Sequence, residues 1–142
     1  MYNAGMNWLG LNWISVLCAG AAGWVLAAIW YSMLFGKIWA REQERHLGRP
    51  CGAGRSMGLM LVSTFVLNVM MAAAMAYLIK RTGFADMNHA IKLAVATGIG
   101  FAGVALTIVS VWEGKPTKVW FIDTSYYFLN AILTAAILIR WP

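Results

Sequence analysis

An all-α integral membrane bundle of four transmembrane helices is the fold class that this sequence predicts, from three observations. Four uninterrupted apolar stretches, at Trp13 to Phe35, Met57 to Ile79, Ala90 to Trp112 and Val119 to Ile139, account for most of the 142 residues. Each is about the 20 residues that a helix needs to cross a hydrocarbon core of ~30 Å. Composition agrees: 61% of the residues are hydrophobic, 11% are charged and the mean hydropathy is +0.68, where a soluble domain carries roughly a quarter charged residues. Periodicity agrees as well, because the stretches hold one formal charge at an internal position, Asp123, and a soluble bundle would show a polar face on every helix. A single domain over residues 1–142 follows.

The first stretch is expected to be retained as a helix rather than cleaved as an export signal. No Lys or Arg precedes Lys37, the apolar run exceeds the ~7–15 residues of a signal core, and Leu17 before Cys18 does not match the small residue of a lipoprotein cleavage site. Along this helix Trp13, Leu17, Gly20, Trp24, Tyr31 and Phe35 follow a three-and-four spacing that gathers large aromatics in one stripe. Such a stripe serves either as a packed seam or as a groove for a flat apolar ligand such as a quinone, a pigment or a lipid tail. Small residues four apart recur in every segment, at Ala19 and Gly23, Ala72 and Ala76, Gly98 and Ala102, and Ala131 and Ala135. They let helix backbones approach, within one bundle or between subunits.

The loops set the orientation. The first, Gly36 to Ser56, contains Lys37, Arg41, Arg45, Arg49 and Arg55, and the short third loop adds Lys115 and Lys118. The other side has Lys80, Arg81, Lys92 and Arg140. Because positive charge is retained in the cytoplasm, loops one and three are expected inside the cell (inner) membrane, with both termini outside. The net charge of +6 then flanks membrane helices, so anionic lipid is the expected partner rather than nucleic acid, with Lys37, Arg41, Arg45, Lys115 and Lys118 at the headgroups. Tyr31, Trp39, Trp112 and Trp120 mark the inner interface, and Trp8, Trp13, Tyr77 and Trp141 the outer one. Loop one also predicts a short interfacial helix over Ile38 to Leu47. The Gly-rich run Gly48 to Gly54 lacks the Gly-Lys-Ser/Thr ending of a phosphate loop and reads as a turn.

Few polar groups remain to carry chemistry. Asp123 stands about one turn inside the fourth helix, with Tyr127, Asn130 and Thr134 after it on one face. An intramembrane acid must find a partner, water or a proton, yet near a helix start it is also favoured by the dipole and within reach of Lys115 or Lys118. Asn68 and Asn130 fall near the middle of helices two and four, where they either hydrogen-bond to each other or line a cavity with Asp123 and Tyr127. His46 and His89 lie in loops on opposite sides, and Cys18 and Cys51 at different depths, so no metal site, cofactor site or disulfide is expected. No nucleophile elbow or Ser, His and acid arrangement is present.

Asn12-Trp13-Ile14, Trp30-Tyr31-Ser32 and Phe35-Gly36-Lys37, followed by Trp112 to Lys118 and by Trp120-Phe121-Ile122-Asp123 with Tyr126, resemble the bacterial membrane proteins classed as domain of unknown function 1761. The resemblance implies a compact four-helix membrane protein without an assigned activity. In that family the fourth-helix motif more often reads Ile-Asn-Ala-Gly-Tyr-His, where this chain has Ile122-Asp123-Thr124-Ser125-Tyr126-Tyr127. An amide is thus replaced by Asp123 and an imidazole by Tyr127, and the resemblance carries no metal or proton role to either position.

Packing features outnumber chemical ones, so the expected function is a non-enzymatic accessory or self-associating membrane subunit, as a homo-oligomer or within a larger complex. The alternative is a small proton- or cation-coupled transporter or channel using Asp123, Tyr127, Asn130 and Asn68. A membrane enzyme is least supported, since no acid and base pair is visible. Small multidrug transporters need a Glu in the first helix, where this chain has no acid.

Overall fold

In the computed structural model, which describes residues 10–83 and 86–141, the chain forms five helices. They are α1 (Trp13–Leu34), α2 (Gly36–Leu47), α3 (Met57–Thr82), α4 (Met87–Glu113) and α5 (Thr117–Arg140). All but α2 are long and apolar enough to cross a membrane. Trp8, assigned above to the outer aromatic belt, lies outside the described residues.

Local chemistry sets the helix ends. The Asn12 side chain accepts hydrogen bonds from the Ile14 and Ser15 amides at 3.2 and 3.3 Å, which starts α1. Ser56 and Asp86 cap α3 and α4 through the amides of Leu59 and His89 at 3.4 and 2.9 Å. Pro116 leads into α5. Helices α3, α4 and α5 run one to three residues past their apolar stretches at one or both ends, while α1 stops one residue short. The amphipathic segment of loop one is helical over Gly36–Leu47 and ends at Gly48, φ 66°.

Two segments leave the α-helical ladder. Ile29–Leu34 at the end of α1 and Gly98–Gly103 within α4 are π-helical. In the first, the Phe35 amide donates to the Trp30 carbonyl at 3.0 Å, five residues back, and the chain then turns into α2. The stripe read from the sequence is already broken before the π turn: Leu17 is exposed and Gly20 is buried, while Trp13, Trp24, Tyr31 and Phe35 are half-buried.

Helix α5 is the hub, packing against each of the other four. Of the membrane-length window of α5, 39% is buried inside the chain, against 17% for α3 and for α4. The core gathers at one end, where the start of α1, the end of α3, the start of α4 and the end of α5 bring Val16, Ala19, Met75, Ala94, Ala135 and Leu138 together. Backbones meet closely there: a Cβ at Gly20 would stand 2.8 Å from the Val69 Cα. Of the small residues singled out above, Ala19, Gly23, Ala72, Gly98, Ala131 and Ala135 are buried, while Ala76 and Ala102 are half-buried. Toward loops one and three the helices splay and leave two grooves, one between α1 and α3, the other between α4 and α5. Lys118 reaches Glu42 at 3.6 Å, tying α2 to the start of α5 at this end.

Candidate functional site

The polar residues of the long helices meet where the packed half gives way to the splayed half. Asn68 lies about 17 Å along α3 and Asn130 about 20 Å along α5 by helical rise, so both fall near the middle of their helices. The Asn130 Nδ2 donates to Asn68 Oδ1 at 2.9 Å, which is the direct amide contact the sequence allowed. Asn68 in turn donates from Nδ2 to the Thr64 carbonyl at 2.9 Å. Asn130 is fully buried, and its Oδ1 finds no hydrogen-bond donor among the described residues.

The third member is Tyr126, not Tyr127. Its hydroxyl accepts from Asn130 Nδ2 at 3.3 Å and has one proton to give, to the Gly23 carbonyl at 3.1 Å or to Asn68 Oδ1 at 3.2 Å. Gly23 is what admits this arrangement. A Cβ at that position would stand 2.3 Å from Asn130 Oδ1 and 2.8 Å from Asn68 Oδ1. Tyr126 is therefore the residue that sequence reasoning missed on α5. It is three residues after Asp123 and four before Asn130, a spacing as good for one face as that of Tyr127. Tyr127 stacks edge-on against Tyr126 with ring centroids 5.0 Å apart and faces the groove between α1 and α3.

Asp123 lies about 9 Å into α5. The pairing with Lys115 or Lys118 considered from the sequence is not formed. Lys115 binds Glu113 at 3.1 Å, Lys118 binds Glu42, and among the described residues Asp123 makes no ion pair. Its Oδ1 instead accepts from the Tyr31 hydroxyl at 2.8 Å and from Trp39 Nε1 at 2.9 Å. The reason is geometric: the π turn and the bend at Phe35 bring α2 back over α5, which places Trp39 at the depth of Asp123. The sequence reading gave neither Tyr31 nor Trp39 a polar role, placing both at the inner interface and Tyr31 also in the aromatic stripe, although each carries a donor at that depth. The rings of Trp39, Tyr31 and Tyr126 continue as a stack, with centroids 5.3 and 5.4 Å apart. Trp30 Nε1 adds a bond to the Ile122 carbonyl at 3.0 Å.

Two hydrogen-bonded clusters result, an amide and phenol seam around Gly23 and a carboxylate held by two neutral donors. The groove beside them, of about 590 Å³, is bounded by Trp24, Tyr31, Trp39, Asn68, Tyr126 and Tyr127 among others. Trp24 donates to Thr64 Oγ1 across it at 3.2 Å. Among the described residues no three His, Cys, Asp or Glu side chains come together in a way that would hold a metal ion. Of the basic residues assigned to headgroups, Lys37, Arg41 and Arg45 lie on the exposed side of α2, and Lys115 and Lys118 flank the start of α5. Both cysteines are free thiols.

A family model described as a protein of unknown function, DUF1761, matches residues 14–139. No curated protein and no solved structure matches the chain.

Proposed function

We propose that this chain, which belongs to the DUF1761 family of unknown function, acts as a structural or accessory membrane subunit, self-associating or seated on a larger complex, without catalysing a reaction. The observation that carries this reading is the closure of its intramembrane polar groups on one another. Asn68, Tyr126 and Asn130 hydrogen-bond to one another around Gly23, with Asn130 Oδ1 left over, and Asp123 is held by Tyr31 and Trp39. A transport path needs polar groups that face water. The outward surface supports the same reading, since more than four fifths of the membrane-length windows of α3 and α4 are left unburied by the chain itself. The membrane is the cell (inner) membrane, with loops one and three in the cytoplasm beside anionic lipid, as the basic residues of those loops favour.

Amine- and photo-reactive crosslinking of the full chain in its native membrane tests this. A discrete homo-oligomer or a defined partner band is expected. Monomer alone at every expression level would defeat the proposal.

A further inference from the structure

The groove between α1 and α3 has a length, a lining and a charged mouth that the packing of the bundle does not explain. Its α3 wall is Met57, Met60, Leu61, Leu67 and Met71, interrupted by the polar Thr64 and Asn68. From Met57 to Met71 is about 21 Å of helix. Half of a hydrocarbon core is about 15 Å and a full crossing about 30 Å, so the groove runs from the headgroup level to a little past the midplane and stops where Gly20 meets Val69. A partner helix would need a groove of full depth. One acyl chain of one leaflet has the right length. Methionine side chains give a wall that adapts to a flexible chain.

The mouth is basic. Arg55 stands two residues before Met57, and Lys37 and Arg41 flank Trp39 in sequence on α2. Among the described residues Lys37, Arg41, Arg49 and Arg55 make no ion pair, while Arg45 and Lys118 share Glu42 and Lys115 takes Glu113. Lys37, Arg41 and Arg55, each two residues from a side chain that lines the groove, match a single negative headgroup above its tail.

The geometry points to a site for one anionic phospholipid, its acyl chain between α1 and α3 and its phosphate at Arg55 and α2. This goes beyond the accessory role, which would stand or fall without it. The test is native mass spectrometry of the delipidated full chain titrated with dioleoyl phosphatidylglycerol and dioleoyl phosphatidylcholine. A single tightly bound phosphatidylglycerol is expected, held about tenfold more tightly than phosphatidylcholine. Ala28→Phe fills the groove from its exposed α1 wall, and should weaken binding by about tenfold. Arg55→Gln should cut the preference for the anionic lipid by about fivefold, the weight of one basic residue near an anionic surface. A photo-reactive residue at Leu61 of the otherwise unchanged protein reports on the occupant directly, by crosslinking to lipid. Equal affinity for the two lipids, unchanged binding by Ala28→Phe in protein of unchanged helicity, or crosslinking from Leu61 to another polypeptide would each overturn the proposal.

Discussion

Replacing Gly23 by Ala should destabilise the bundle, against the usual sign of that substitution. In an exposed helix interior Gly to Ala gains about 1 kcal/mol. Here the new Cβ would stand 2.3 Å from Asn130 Oδ1, 3.1 Å from its Cγ and 2.8 Å from Asn68 Oδ1, and Gly23 is buried on α1. Overpacking of this kind costs about 1–3 kcal/mol. The amides yield only by giving up the Asn130 to Asn68 and Asn130 to Tyr126 bonds, each worth about 0.6 kcal/mol between membrane helices. The net loss is about 2 kcal/mol once the helical gain is subtracted. Reversible unfolding in mixed detergent micelles, followed by tryptophan fluorescence, measures it. The cycle with Asn130→Ala is the sharper test, because removing Oδ1 and Cγ opens room for the methyl. The double variant should recover about 1 kcal/mol relative to additivity. Strict additivity, or a Gly23→Ala protein more stable than the parent, would refute the close approach of α1, α3 and α5 on which the site rests.

Asp123→Asn keeps an oxygen acceptor for Tyr31 and Trp39 and should leave stability within about 1 kcal/mol of the parent, while Asp123→Leu strands both donors and should cost about 2–4 kcal/mol in the same unfolding assay. Proteoliposomes should show no proton or cation flux with either the parent or Asp123→Asn; a flux lost on that substitution would place transport first. Asp86 is held below the ordinary carboxylate range because its charged form accepts hydrogen bonds from the His89 backbone amide and then from the His89 ring. Its stabilisation of the start of α4 is therefore full above the unfolded value of 3.8 and lost as pH falls through the lower folded value. Hydrogen exchange at the first turn of α4 should accelerate in that acid window, and the acceleration should vanish in Asp86→Ala. Cys51, in loop one, should react with a membrane-impermeant maleimide only after permeabilisation if that loop faces the cytoplasm. Burial first, and the nearby Glu44 second, push its thiol up, so its labelling should climb more steeply with alkaline pH than that of a free cysteine peptide.

The four long helices were legible because lipid imposes a simple rule on sequence: about 20 apolar residues per crossing. Loop one was legible as a helix because its charged face and apolar side follow a helical period. The Asn68 and Asn130 contact was also within reach, since two buried amides at equal depth have few other partners. The partners of Asp123 were not. Electrostatic reasoning favours a lysine one turn away, but Trp39 reaches the carboxylate through a change in helical winding that no local residue pattern announces. Nor did spacing separate Tyr126 from Tyr127, because both lie within one turn of Asp123 and Asn130. Only the azimuth at which α5 meets α1, fixed by the absence of a side chain at Gly23, decides between them.

The π turn at Ile29–Leu34 makes the length of the first helix a control on what lies beyond it. Six residues there do the work that an α-helix would assign to five, as the Trp30 to Phe35 bond records. Deleting one of them would let the ladder close as ordinary α-helix with the downstream register kept, whereas winding all six as α-helix would rotate everything downstream by about 100°. Helix α2 would still be amphipathic and still begin at Gly36, yet Trp39 would swing away from Asp123. The winding between positions 29 and 34, and not the number of residues alone, therefore sets the direction in which α2 leaves the bundle.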